Sequence, residues 1–218
     1  MKTSKIILIS FLSVVSLFLL SFLITVDGKK YEKNIENAEE AFAQIKVIKA
    51  CQGADVTVST DKENQISVPH YKDSTYKMPY EIIGDTLVLK PYKQNERSFH
   101  YTVSVNAPVK AFIADGGTIT SNVMQDSITI INKNKGQFYI HRDCSISYAL
   151  LLSQDKSRTV ISSNGINKIE MQVNNSNVSI NKPIQKVKLE ATNNARVTMQ
   201  RVKSINATCD ESSEYKVY

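Results

Sequence analysis

The stretch that decides the fold is written three times near the C-terminus: Ile166-Asn-Lys-Ile169-Glu-Met171-Gln-Val173, then Ile184-Gln-Lys-Val187-Lys-Leu189-Glu-Ala191, then Val202-Lys-Ser-Ile205-Asn-Ala207-Thr-Cys209. Each block begins 18 residues after the one before, with apolar side chains at its first, fourth, sixth and eighth positions. A polar corner follows, Asn174-Asn175-Ser176-Asn177 or Asn193-Asn194, and then a second short alternation: Val178 and Ile180, Val197 and Met199, Tyr215 and Val217. Alternation with period two is the mark of a strand. A fixed repeat with matching corners is what stacked coils require, because each coil can bury its apolar face only against its neighbours. Eighteen residues hold two strands and two turns, too few for a helix in every coil, so the repeat predicts an all-β parallel solenoid.

Upstream lie weaker copies. Ile128-Thr-Ile130 and Phe138-Tyr-Ile140 flank Asn132-Lys-Asn134-Lys-Gly136, while Tyr148-Ala-Leu150-Leu-Leu152 and Val160-Ile161 flank Gln154-Asp-Lys-Ser-Arg158. Asn106-Ala107-Pro108 closes the alternation Phe99 to Val105 and marks a boundary, which places the coils at about 109–218. Between 42 and 105 the pattern is one of short strands and turns, as in Val56 and Val58 after Gly53-Ala54-Asp55, or Ile82-Ile83-Gly84-Asp85-Thr86-Leu87. Pro69, Pro79 and Pro91 interrupt this part. Residues 31–41, polar and rich in Glu and Asn, read as a linker.

Residues 6–26 carry no charge over 21 positions, preceded by Lys2 and Lys5 and followed by Asp27-Gly28-Lys29-Lys30. A helix of that length would cover roughly 30 Å, the hydrocarbon thickness of a bilayer. The expectation is an N-terminal transmembrane helix within a signal anchor at 1–30, giving the chain a membrane contact through residues 6–26. The β-rich remainder is then expected to face the periplasm or exterior.

The chain has 27 Lys and Arg against 21 Asp and Glu, a net charge of +6. Half of that excess comes from Lys2, Lys5, Lys29 and Lys30 less Asp27, so residues 31–218 carry only +3, with bases and acids interspersed. That argues against a nucleic-acid partner. Cys51, Cys144 and Cys209 are too few and too widely spaced for a disulfide framework and form no CxxC pair.

His70, His100 and His141 stand alone, without the spacing that puts two imidazoles on one metal. The acids are scattered among turns rather than paired, and no GxSxG element occurs. Asp115-Gly116-Gly117 and Asn164-Gly165 are turn signatures. The reading therefore assigns no catalytic, cofactor-binding or metal-binding residue, expects no cofactor, and expects no enzyme. Tyr71, Tyr76, Tyr80 and Tyr92 gather in the middle of the chain and could pave a sugar platform, though a strand face packed on a core uses Tyr as readily.

Phe42-Ala-Gln-Ile45-Lys-Val47 followed by Gly53-Ala-Asp55-Val56-Thr-Val58, the segment Asp85-Thr86-Leu87-Val88-Leu89, and the proline step into turned repeats resemble the autotransporter adhesin head GIN domains of Bacteroidota, a domain of unknown function. The resemblance covers about residues 42–218. It implies a right-handed parallel β-solenoid and an envelope location, and no agreed catalytic residue. Asn runs at 174–177 and 193–194 replace the Gly-Ser turns common in that family. The functional expectation is a membrane-anchored, non-enzymatic envelope protein whose solenoid offers a flat, polar β-surface for adhesion to or binding of a protein or glycan. The alternatives are a structural envelope component with no dedicated ligand and, less favoured, a carbohydrate-processing enzyme.

Overall fold

The computed structural model describes residues 13–21, 35–72, 77–94 and 97–218. Residues 13–21 are helical. The strands are β1 (Ile35–Ala41), β2 (Val47–Cys51), β3 (Asp55–Thr60), β4 (Gln65–Tyr71), β5 (Tyr80–Ile83), β6 (Thr86–Leu89), β7 (Tyr92–Gln94), β8 (Arg97–Phe99) and β9 (Tyr101–Val105), followed by the repeating part. There, β10 (Ala111–Asp115), β12 (Ser127–Lys133), β14 (Tyr148–Ser153), β16 (Lys168–Asn174), β18 (Ile184–Thr192) and β20 (Val202–Cys209) stack in parallel in a nine-stranded sheet. Their partners β11 (Thr118–Asn122), β13 (Gln137–Ile140), β15 (Arg158–Ile161), β17 (Asn177–Ile180), β19 (Arg196–Met199) and β21 (Glu214–Val217) stack likewise in a ten-stranded sheet. The result is an all-β solenoid of about five turns.

Two layers of side chains fill the space between the sheets. In the nine-stranded sheet, Phe112, Ile130, Leu151, Met171, Leu189 and Ala207 occupy one register column, with steps of 18, 21, 20, 18 and 18 residues. The 18-residue period thus holds in the last coils. Longer middle coils take up their extra residues in the return from the ten-stranded sheet, notably between β13 and β14. The facing column runs Ile119, Phe138, Thr159, Val178, Val197 and Tyr215. The two columns meet where the Phe112 and Phe138 rings stand 5.9 Å apart, both fully buried. Burying one such side chain stabilises by about 1.5–3 kcal/mol.

The parallel stack begins before residue 109. β2 pairs in parallel with β10, and β3 with β11. β6 and β9 add a further layer outside β2 and β3, and the chain then crosses back over that layer to start β10. Gln125 pins this crossover: its carbonyl oxygen accepts the Val109 N–H at 3.0 Å and its amide nitrogen donates to the Val109 carbonyl at 2.8 Å. Antiparallel strands close this end, β5 against β6 and β4 against β9, with β1 outermost. Residues 35–41 of the expected linker are therefore an edge strand. Its Glu-rich sequence is compatible with pairing because most of its side chains stay exposed.

The transmembrane helix expected over 6–26 is corrected. The described helix at 13–21 has nine residues, which at a rise of about 1.5 Å each spans less than half of a bilayer's hydrocarbon thickness. No described helix is long and apolar enough to cross a membrane, so a signal anchor is not supported. The rest of the expected span, 6–12 and 22–26, lies outside the described residues.

Each direct passage from the nine-stranded into the ten-stranded sheet goes through a tight corner, whereas β6 reaches β9 by way of the antiparallel pair β7 and β8. The residue just before each ten-stranded partner is small: Ala54, Gly117, Gly136, Ser157, Ser176, Ala195 and Ser213 fall in one register column. The carbonyls of this column accept the next coil's N–H, as Gly117 does from Gln137 and Gly136 from Arg158, both at 2.9 Å. A Cβ at Gly136 would lie 2.5 Å from the Ala114 carbonyl oxygen and 2.9 Å from that of Lys133. Gly136→Ala should therefore cost about 1–3 kcal/mol through overpacking. The check is urea unfolding of wild type and variant; equal midpoints would mean that the corner has room to give.

Candidate binding surface

The outward face of the nine-stranded sheet is graded along the stack. One outward column reads Val88, Lys49, Ile113, Ile131, Leu152, Gln172, Glu190 and Thr208; beside it runs Val47, Ala111, Thr129, Leu150, Glu170, Lys188 and Asn206. From β2 to β14 the face is largely aliphatic, on β16 and β18 it is Lys, Glu and Gln, and on β20 it is Ser, Asn and Thr. Ile113, Ile131, Leu150 and Leu152 are half-buried and partly open to solvent. These partly open aliphatic side chains, bordered by charged residues, make this face a candidate interaction surface.

The rim is built from matched pairs. At one border Asp115 receives Lys49 at 3.0 Å, Lys133 at 3.6 Å and the Asn134 amide at 2.6 Å. Burial works to raise the Asp115 carboxyl, but the Asn134 hydrogen bond and the two lysines outweigh it and hold it below the ordinary carboxylate range. Its hydrogen bond to Lys49 correspondingly raises that ammonium. At the other border Lys168 donates to Glu170 at 2.6 Å and lies 5.2 Å from the Tyr148 ring centre. That hydrogen bond lowers the Glu170 carboxyl and raises the Lys168 ammonium. On β14, β16 and β18 lies a shallow depression of about 250 Å³ lined by Leu152, Gln154, Gln172, Asn174, Glu190 and Thr192.

The outer face of the ten-stranded sheet differs. Its central column is Thr102, Thr57, Thr120, Tyr139, Val160, Ser179, Thr198 and Lys216. His100 lies on this side, its Nδ1 3.1 Å from Asp55 and its Nε2 2.9 Å from Thr57.

The structure keeps the three histidines apart, each beside a different acid: His70 by Glu36, His100 by Asp55 and His141 by Asp143. No group of three or more His, Cys, Asp or Glu is gathered for a metal among the described residues. The three cysteines are free thiols. Cys144 is buried, its thiol pushed up by that burial and donating to the Ser121 carbonyl at 2.7 Å.

Among the described residues, Tyr71, Tyr80 and Tyr92 do not pave a platform. Tyr71 packs edge-on against Phe99 at 5.7 Å and Tyr92 lies 5.5 Å from the same ring, both part of the end cap. Tyr80 donates to Glu40 at 2.7 Å, and burial together with that carboxylate pushes its hydroxyl up to about 12. Tyr76 lies outside the described residues. The aliphatic face was missed from sequence, although a signal existed. Ile130-Ile131 and Leu150-Leu151-Leu152 carry apolar residues at consecutive positions, so at least one of each run must point away from the core.

No protein-family model matches the chain, and no curated protein matches it. Solved structures do share its architecture. A candidate adhesin from Parabacteroides distasonis ATCC 8503 superposes with a TM-score of 0.59 at 11% identity, over 84% of this chain and 93% of that one. One from Bacteroides fragilis NCTC 9343 gives 0.55 at 10%, over 85% and 98%. One from Parabacteroides merdae ATCC 43184 gives 0.54 at 7%, over 85% and 96%. At these identities the likeness concerns the fold.

The Asp115 cluster predicts a pH dependence. Its folded pKa lies below the unfolded value of about 3.9. Its stabilisation is therefore complete above about pH 4 and is lost as pH falls through the folded value. Asp115→Asn should be less stable than wild type at pH 7, and the gap should narrow as pH falls below about 4. Urea midpoints across that range measure it, and a gap constant with pH would contradict the assignment.

Proposed function

We propose that this chain is a non-enzymatic binding protein of the bacterial cell envelope, an adhesin-like module of the head GIN type, and that its ligand is a protein. The observation that carries the reading is the aliphatic face formed by Ile113, Ile131, Leu150 and Leu152 on a rigid parallel sheet. These side chains are only half-buried, so a partner's apolar surface that completed their burial would recover a part of the about 1.5–3 kcal/mol that full burial of each is worth. The patch has aliphatic rather than aromatic character at its centre, which suits a protein surface better than the flat face of a sugar ring. The three structural neighbours described as candidate adhesins support the same direction. An exported location follows from this role.

Two measurements test it. Protease shaving of intact cells should degrade the β-domain; degradation only after the outer barrier is opened would exclude a cell-surface adhesin. Beads coated with the full chain should be retained on at least one of a panel of immobilised extracellular-matrix proteins. Ile131→Asp/Leu152→Asp should reduce that retention at least tenfold, while Thr57→Ser on the opposite sheet leaves it unchanged. Equal retention of wild type and the double variant, with matching circular dichroism melts, would remove the aliphatic face from the role.

A further inference from the structure

The charge of +3 over residues 31–218 is unevenly spread. Residues 154–203 hold nine Lys and Arg against three Asp and Glu, an excess of +6, which leaves the rest of 31–218 at −3. Five of the nine bases lie where the chain returns from the ten-stranded to the nine-stranded sheet. The returns into β16, β18 and β20, taken with the opening residues of those strands, contain Lys168, Lys182, Lys186, Arg201 and Lys203 and no acid. The returns into β10, β12 and β14 are mixed instead. They carry Lys110, Asp126, His141, Arg142 and Asp143, and Asp143 is held by His141 at 3.1 Å and by Arg142 at 3.7 Å.

We propose that this basic corner is a second binding site, and that it takes an acidic polysaccharide, a chain of sugars bearing carboxylates or sulfates. The choice of occupant rests first on charge. Glu170 matches Lys168 at 2.6 Å, but Lys182, Lys186, Arg201 and Lys203 have no ion-pair partner among the described residues. Lys186, Arg201 and Lys203 are exposed and Lys182 is half-buried. The register sets Lys186 between Lys168 and Ser204, which Lys203 precedes, so the bases follow one line along the stack at the strand spacing of about 4.8 Å. Arg201 is held in left-handed backbone at φ 49°, where Gly or Asn would be easier, so a base is kept there at a cost in backbone strain.

The surroundings choose among polyanions. No aromatic residue occurs between 149 and 214, and Tyr148 at the border already has the Lys168 ammonium 5.2 Å from its ring centre. The bases of a single-stranded nucleic acid therefore find no free ring on which to stack. No exposed large apolar side chain lies between 125 and 214, so nothing here enters a bilayer beneath anionic headgroups. Amides do belong to the same returns: Asn164, Asn167, Asn181, Gln185 and Gln200. They supply donors and acceptors for sugar hydroxyls, while the bases supply the charge. The corner lies on β16 to β20, past the aliphatic side chains of β10 to β14, and stands apart from the protein-binding role.

Fluorescence anisotropy of the purified full chain with two labelled probes, a heparin oligosaccharide and an oligogalacturonate, tests it. Wild type should bind at least one of them, with an affinity that weakens as salt is raised, and should ignore neutral dextran. Lys182→Ala/Lys186→Ala, which leaves β20 untouched, should weaken that binding by roughly tenfold or more. Adding Arg201→Ala/Lys203→Ala should weaken it further. Lys62→Ala/Lys93→Ala removes the same charge from exposed positions away from the corner and should leave the affinity unchanged, with circular dichroism melts matching wild type throughout. Failure of both probes to bind, or equal losses in the corner variant and the control pair, would overturn the site. Tighter binding of a single-stranded oligonucleotide or of phosphatidylglycerol vesicles through the same lysines would overturn the choice of polysaccharide.

Discussion

At each corner between the sheets the chain must turn within two to four residues while handing its hydrogen bonds to the coil above, and this leaves no room for a large side chain. The column from Ala54 through Gly117, Gly136, Ser157, Ser176 and Ala195 to Ser213 meets that constraint. The residues just before it adopt left-handed backbone, Asn134 and Lys135, Asp155 and Lys156, Asn175, Asn193 and Asn194. Asn and Asp tolerate that conformation better than other residues with a Cβ. The corner sets where each strand begins, and hence which side chains share a column. Strand register, core columns and outward ladders all follow from its position.

A fixed register also lets polar residues enter the core. Asn132 is fully buried and donates to the Arg158 carbonyl and the Thr159 hydroxyl, both at 2.9 Å, while Ser157 donates to the Asn132 carbonyl at 3.1 Å and lies 2.9 Å from Ser153. These groups belong to adjacent coils, so their hydrogen bonds are made only in the native stacking order. Sliding one coil by a residue would break them and also turn the apolar columns outward. The network therefore favours this register over its neighbours more than it adds to stability.

The same facts explain how far the sequence could be read. The coils beginning at Ile166, Ile184 and Val202 keep a constant spacing and apolar columns, so their phase is plain. In the middle coils, longer returns shift the spacing and Asn132, Ser153, Ser157 and Thr159 sit where apolar residues would be sought, which blurs the repeat. β2 and β3 belong to the stack through partners some 60 residues further on, reached only after the chain has built the outer layer. Local periodicity carries no trace of such a crossover. β1 was legible as polar but not as a strand, because an exposed edge strand need not alternate. The apolar run at 6–26 shows the opposite limit: an uncharged stretch permits a membrane helix, but composition does not establish one.

The solenoid presents two broad faces, and the depression described on the nine-stranded one is shallow. Its chemistry is written in ladders, each outward column repeating at the strand spacing of about 4.8 Å. Such a surface is poorly suited to surrounding a small reacting molecule, for which groups must converge from several directions. It suits a partner that presents extended, complementary surface of its own. The sharp change from Ile113, Ile131 and Leu152 to Gln172 and Glu190 along one column gives the face a direction as well as an area. Under the proposed role, a partner gaining burial from the aliphatic half would also have to satisfy the charges of the other half, so the fixed distance between those halves would discriminate one protein surface from another.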